Sequence, residues 1–191
     1  MLIRRERADD AAAIAAVHRS AFGPHYAKSN SDRREMAVLT GELADAGAAD
    51  PPEVDLVTRL RSDSGWIPTL SMVAVEHDVV IGHVCLTRAG VGPFPVLALG
   101  PIGVLAEHQG IGVGAALMHA ALGAADALDE PLIGLLGSLD FYPQFGFIPA
   151  ARLSITPDDS SWISHFQVRP LSAYDPQITG EFHYAEPFYE L

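Results

Sequence analysis

An α/β fold built on one sheet of mixed strand direction is predicted by three observations along this 191-residue chain. Two β-rich runs, 70–76 and 79–87, flank the tight turn His77-Asp78 and make an antiparallel hairpin. A third run, 96–104, is apolar and β-branched enough for a buried strand, and it leads through Glu107-His108-Gln109 into glycines at alternate positions, Gly110, Gly112 and Gly114. An alanine-rich helical segment follows, then the apolar strand 132–136. A helix between two strands makes those strands parallel.

The other elements follow in order. Residues 2–5 read as a short strand. Residues 8–22 read as a helix with Asp9 or Asp10 at its positive end and Ile14, Val17 and Ala21 on one face, ended by Gly23-Pro24. His18 lies beside that face and is expected to pack as a structural histidine. Residues 25–52 mix charged, serine and alanine residues. They read as an inserted arm bordering a substrate site, with a helix over 33–46 that aligns Met36, Leu39 and Leu43. A short helix over 54–61 turns Val57 and Leu60 inward, and Trp66 and Pro68 fall in the loop behind it.

Residues 89–95 are rich in Gly and Pro and read as a loop. In the helix after the glycines, Ile111, Ala115, Met118 and Leu122 recur at intervals of four, three and four, and Asp129-Glu130-Pro131 ends it near 127. Strand 132–136 runs into an aromatic turn and short helix closed by Gly146. Strand-like runs at 166–171 and 180–184 precede the aromatic tail Phe188-Tyr189. One domain over 1–191 is expected, with a C-terminal extension from about 160.

Composition narrows the classes. Hydrophobic residues at 49% and charged residues at 19% are those of a globular protein. A formal charge of −12 argues against a nucleic-acid polymer as partner, because phosphate backbones are held by Lys and Arg. No apolar run reaches the roughly 18 residues of a membrane helix, and Ala8-Asp9-Asp10 follows the charged N-terminus where a signal core would stand, so the cytoplasm is the expected location. The single cysteine, Cys85, lies in an apolar run and reads as a buried, inert thiol.

A strand, a glycine turn and a helix start present free backbone N–H groups at the positive end of a helix dipole, which suits a phosphate or pyrophosphate. Between Arg88 and Arg152 the chain has no Lys or Arg, so an anion there must rely on amides, the dipole and His108. The glycines do not fit the G-x-G-x-x-G dinucleotide fingerprint, and the turn follows a hairpin at mid-chain.

Gln109, Gly112 and Gly114 match the Q/R-x-x-G-x-G/A pattern of the GNAT N-acetyltransferases. The later block Phe141-Tyr142-Pro143-Gln144-Phe145-Gly146-Phe147 resembles that family's second characteristic segment, and Ile81-Gly82-His83-Val84 resembles its central antiparallel strands. Within the family the chain is similar to the YhbS-like predicted acetyltransferases, with 25–52 as an insertion relative to them.

This resemblance implies a central mixed twisted sheet with helices on both faces and a splayed strand pair that holds acetyl-CoA between Val104 and Leu136. It implies that pantetheine pairs with the backbone of Ile102, Gly103 and Val104. Amides of Gln109, Gly110, Ile111, Gly112, Val113 and Gly114 would hold the pyrophosphate. Ser138 would bond the pantetheine arm or simply cap its turn. Tyr142 aligns with the tyrosine that serves as acid toward the leaving thiol, with anchoring of the short helix as its alternative reading. An N–H near Ile102 or Gly103 would polarise the thioester carbonyl.

The implied reaction is acetyl transfer from acetyl-CoA, as cosubstrate and without a metal, to a primary amine of a small molecule or protein by direct attack. An ammonium with a pKa near ~10 must first lose a proton, whereas a leaving thiol near ~8.5 needs only mild help. Glu35, Glu42, Glu76 and His83 are candidate bases. Each also reads as a solvated or satisfied side chain, and none is assigned. From a different class, a non-catalytic acyl-CoA-binding or regulatory module fits the missing basic residues, and an interaction domain would retain the fold alone. The aromatic stretch 182–189 either covers the core or meets a second copy in a homodimer.

Overall fold

The computed structural model describes residues 1–40 and 50–190, side chains from 29 to 40 excepted. The side chains of Glu35 and Glu42, and the stretch 41–46 of the expected arm helix, lie outside that description. Among the described residues nine strands form the sheet: β1 (Leu2–Arg5), β2 (Trp66–Glu76), β3 (Val79–Val91), β4 (Phe94–Val104), β5 (Leu132–Leu136), β6 (Ile148–Pro149), β7 (Ile155–Pro157), β8 (Phe166–Pro170) and β9 (Gly180–His183). Their order is β1-β2-β3-β4-β5-β8-β6, and β9 joins the outer end of β3 and pairs with β7. The pairs β4–β5 and β7–β9 are parallel, and the other pairs are antiparallel.

Helices cover both faces. On one side α3 (Val113–Asp126) sets Val113, Leu117, Met118 and Ala121 against Met72, Ala74, Ile81 and Val84. On the other, Ile14 and Val17 of α1 (Ala11–Thr40) and Val57 of α2 (Pro52–Ser62) meet Val73 and Val80. Met72 and Ala74 thus face α3 while Val73 faces α1, the period-two alternation of a strand buried on both sides. Full burial of a side chain such as Leu117 contributes about 1.5–3 kcal/mol.

The mixed sheet, the hairpin and the parallel β4–α3–β5 unit agree with the sequence reading. His77 and Asp78 turn the hairpin with φ of 47° and 63°, the signs a two-residue primed turn requires. Four local expectations are corrected. α1 does not stop at Gly23-Pro24 but runs on to Thr40. A proline normally pushes its predecessor out of the helical region by a clash with that residue's Cβ, and Gly23 has none. Residues 89–95 are not a loop, because β3 and β4 continue to a turn at Gly92-Pro93. Pairing of β9 against Gly90 and Val91 holds that end of the sheet extended against local propensity. β2 begins at Trp66, which pairs with Thr87. Pro68 falls inside a register shift, where no ladder N–H is needed. Ile111 stands outside α3 and is 71% exposed, so the inward face of that helix starts at Val113.

A polar chain crosses the α1 side of the sheet. His18 Nε2 lies 2.8 Å from His83 Nδ1, and His83 Nε2 lies 3.0 Å from Ser71 Oγ. Ser71 bonds Glu6, which also accepts from Arg61 Nε at 2.6 Å. With Glu6 ionised, one arrangement satisfies every link: the Ser71 hydroxyl donates to Glu6, His83 donates to Ser71, and His18 donates to His83. His18 Nδ1 is then left as a bare acceptor against Gly103. It is buried, without a partner among the described residues, and 2.9 Å from where a Cβ at Gly103 would stand. His18 is thus fully buried and structural. Burial alone would push the Glu6 carboxyl up, but hydrogen bonds from His83, Ser71 and Arg61 outweigh it and bring the pKa to about 2. Burial lowers both imidazoles, His18 the more.

These shifts set an acid response. Below the ordinary imidazole value of 6.5 the unfolded chain binds protons that buried His18 and His83 do not, so stability present above that pH declines as pH falls. Glu6 adds a further loss below its ordinary 4.5, continuing toward about 2. Urea unfolding measured from pH 8 to 4 should give a flat region above about 6.5 and a decline below it. His18→Leu should reduce the slope between pH 6.5 and 5, and an unchanged slope would contradict a neutral, buried His18.

Candidate active site

β4 and β5 pair only at Leu97↔Ile133 and Ala98↔Gly134. Beyond that point β4 carries an extra residue, since Leu86 pairs with Leu99 while Val84 pairs with Ile102. This bulge contains Gly100-Pro101, and Pro101 has no N–H to give to a neighbouring strand. β5 meanwhile stays with β8 to Leu136↔Phe166. The two parallel strands therefore part.

The parting leaves backbone groups unclaimed. Leu105 N donates to Ile81 O at 2.9 Å, which fixes the alternation along β4. Gly103 then points its amide toward β3, while the N–H and C=O groups of Ile102 and Val104 point into the gap. Gln109 Nε2 donates to Val104 O at 3.0 Å from that open side and ties the glycine turn to the strand.

Two cavities occupy the gap. The larger, about 670 Å³, runs from Ile102 and Val104 past Gln109, Gly110, Gly112 and Gly114 to Ser138 and Tyr142. Gly110 and Gly112 hold φ of 75° and 93°, a region closed to side chains with a Cβ, and the space a Cβ would fill is empty at both. Gly112 caps α3, whose first intrahelical bond runs from Ala116 N to Gly112 O at 3.0 Å. The amides of Val113, Gly114 and Ala115 precede that bond and stand free at the positive end of the helix dipole. Among the described residues lining this cavity none is Lys or Arg, and His25 of α1 is the one side chain able to carry positive charge.

The smaller cavity, about 260 Å³, shares Phe22, Ile102, Leu136 and Tyr142 with the larger one. Its further walls come from Glu53 and Leu56 of α2, the β4 bulge, and the aromatic rings of Trp162, Tyr184 and Phe188. Tyr142 thus stands where the two spaces meet. Its ring lies edge-on to Phe141 at 5.1 Å and to Phe147 at 5.8 Å. A Cβ on Gly137 would come within 2.3 Å of that ring, so the glycine after β5 is what admits the tyrosine. Burial pushes the Tyr142 phenol up to about 12, and its hydroxyl stays neutral through the physiological range.

Not every residue singled out in the sequence meets in this gap. Ile102, Val104, Gln109, Gly110, Gly112, Gly114, Ser138 and Tyr142 line it. Gly103 faces α1, the Val113 side chain is buried in the core, and that of Ile111 is turned to solvent. Ser138 Oγ accepts from Asp140 N at 3.2 Å and so caps its turn, with its proton free to be donated elsewhere. His108 does not line the cavity and stands 3.9 Å from Glu76. Glu76 is also 3.6 Å from the N-terminal amine, and His83 is engaged in the buried chain. Burial pushes the Cys85 thiol up to about 12, which leaves it unreactive. Among the described residues no group of three His, Cys, Asp or Glu is placed to hold a metal, and no helix is long and apolar enough to cross a membrane.

Sequence reasoning did not single out His25, Phe22, Glu53, Trp162, Tyr184 or Phe188 as site residues. Its signals were the stretch 25–52, read as an arm bordering a substrate site and holding His25, and the aromatic density of 182–189. Strands wide apart in sequence and the uninterrupted α1 bring them together.

Comparison with known proteins agrees with this arrangement. The description of the acetyltransferase (GNAT) family matches residues 42–147. The chain belongs to that family, and it is similar to YhbS-like members. The uncharacterised N-acetyltransferase YjhQ of Escherichia coli (strain K12) is 29% identical over 143 residues, covering 71% of this chain and 79% of YjhQ. The crystal structure of the GNAT N-acetyltransferase YhbS from Escherichia coli in complex with CoA superposes with a TM-score of 0.78 at 25% identity, over 98% of this chain and 91% of that one. A GNAT acetyltransferase from Brucella melitensis in complex with acetyl-CoA gives 0.70 at 26% identity, over 98% and 97%.

Gly137→Ala tests how tightly Tyr142 is held. The added methyl should cost about 1–3 kcal/mol in urea unfolding and shift the near-ultraviolet tyrosine signal. Wild-type stability and spectrum in this variant would show that the ring has room to move aside.

Proposed function

We propose that this protein is an acetyl-CoA-dependent N-acetyltransferase that acts on a primary amine. One observation carries the reading: two cavities of different chemistry open on each other at Tyr142, in the gap where β4 and β5 part. The larger takes the cosubstrate. Free amides at the start of α3 and around Gly110 and Gly112 receive the pyrophosphate, and the open C=O of Ile102 and N–H of Val104 receive the pantetheine arm. The neighbours crystallised with CoA and with acetyl-CoA support this assignment. His25 is the one side chain of the described lining able to offer positive charge to the cosubstrate, since the sequence has no Lys or Arg between Arg88 and Arg152.

The smaller cavity takes the amine. The Tyr142 hydroxyl, kept protonated by burial, donates a hydrogen bond as negative charge develops on the departing sulfur. The Ile102 N–H polarises the thioester carbonyl, because Gly103 turns its own amide to β3. Residues 1–191 are read as one acetyltransferase domain, with an arm inside 25–52 and a C-terminal extension from about 160 that walls the acceptor space. The absence of Lys and Arg from the described lining supports a second reading, a non-catalytic acyl-CoA-binding module.

Thiol release from acetyl-CoA with a panel of amines separates the two. Turnover is expected, with Tyr142→Phe lowering kcat by about 10²-fold and leaving the KM for acetyl-CoA unchanged. Calorimetric binding of acetyl-CoA without turnover of any amine would favour the binding module, and no binding would overturn both. The rate should climb with pH as the free amine fraction rises, with no alkaline limb from Tyr142 below about pH 11. His25→Ala should weaken CoA binding by up to about fivefold, the scale of an exposed charge contact.

A further inference from the structure

The chemistry of the smaller cavity identifies its ligand. Its walls are aromatic: Trp162 and Tyr184 stand edge to face at 5.7 Å, and Tyr184 meets Phe188 at 4.9 Å. This wall is already built. Tyr189 stacks on the outer side of Trp162, its hydroxyl accepts from Tyr184 N at 2.9 Å and donates to Asp158, and Glu190 pairs with Arg59 of α2. Two polar groups of the lining residues are unpaired among the described residues. The Tyr184 hydroxyl is buried with no hydrogen-bond partner among them. Glu53, half-buried in the first turn of α2, pairs with no cation or donor among the described residues.

One carboxylate calls for one positive charge. Aromatic faces around it favour a cation that carries an apolar body, through burial of that body and attraction of the ammonium to the rings. A polyamine would leave further ammonium groups against rings with no counter-charge, and a polyhydroxylated aminoglycoside would leave its hydroxyls unpaired there.

We infer that the acceptor is a small monoamine bearing one aryl or bulky alkyl group. Glu53 receives its ammonium, and Trp162, Tyr184 and Phe188 enclose its body. The inference rests on the acetyltransferase reading and names the substrate class of that site. Glu53 takes the cation on arrival, and the ammonium gives up one proton to solvent before the free amine attacks the thioester carbon. The carbon–nitrogen bond forms and the carbon–sulfur bond breaks; the thiolate takes its proton from the Tyr142 hydroxyl, which is made good by the second proton leaving the acetylated nitrogen, and CoA departs as the thiol.

Two measurements on the full-length protein test this. The first compares kcat/KM for phenethylamine and isoamylamine with that for putrescine, spermidine and kanamycin. The apolar monoamines should lead by at least tenfold, and Glu53→Gln should raise their KM about tenfold while leaving the KM for acetyl-CoA unchanged. The second titrates phenethylamine into the CoA-bound protein and follows tryptophan fluorescence. Saturation is expected in wild type and should be lost in Trp162→Phe. Preferred turnover of a polyamine or of kanamycin would overturn the substrate class and leave the N-acetyltransferase reading intact. Saturable phenethylamine binding with no amine turned over would support the pocket and overturn the transferase. Neither binding nor turnover would overturn both.

Discussion

The parallel pairing of β4 and β5 lasts two residues, Leu97↔Ile133 and Ala98↔Gly134, and then stops. Both strands continue, each held by its other neighbour: β4 by β3 across a bulge, and β5 by β8 in unbroken register. An opened sheet is costly inside a protein because its edge groups lose their partners. Here the cost is confined to one side of Ile102 and Val104, and part of it is already offset by Gln109, which bonds the Val104 carbonyl. The unclaimed groups then form the floor of a cleft. A helix start stands at one end of it and an aromatic chamber at the other.

Each surrounding feature keeps that gap open or gives it an end. The Gly110 and Gly112 conformations bring α3 in with its first amides facing the cleft. Gly137 lets the Tyr142 ring settle directly after β5, at the junction of the two cavities. On the opposite face, the His18–His83–Ser71–Glu6–Arg61 chain fastens α1 and α2 to the central strands. This matters for the site because Phe22, one turn beyond His18 and stacked on it at 5.8 Å, lines both cavities, and Glu53 and Leu56 of α2 line the smaller one. A single half-buried carboxylate, Glu6, held well below its ordinary range, is the anchor of that chain.

The two ends of the cleft differ in chemistry. The glycine turn and the start of α3 present directed amides, which can receive an anion without a cationic side chain. The smaller cavity is apolar and aromatic, with single polar groups placed among rings. The C-terminal segment supplies Trp162, Tyr184 and Phe188 to that lining and is pinned to α2 through Arg59 and Glu190, so the extension is part of the cavity's architecture.

Local rules in the chain determined the hairpin at His77-Asp78, the strand–glycine turn–helix unit, the parallel strand after it and the closure at Gly146. Each depends on φ, period or connectivity within a short span. The same rules misjudged Gly23-Pro24, residues 89–95 and Ile111. There a missing Cβ, a distant strand β9 and the true start of the helix decided the outcome. In the site, the residues of the β4–α3 unit and Tyr142 were legible because one contiguous motif carries most of them. Phe22, His25, Glu53, Trp162, Tyr184 and Phe188 were not, since nothing within reach of their neighbours in sequence marks them as facing one space. Only packing of α1, α2 and the C-terminal segment around a sheet that parts between β4 and β5 brings them there.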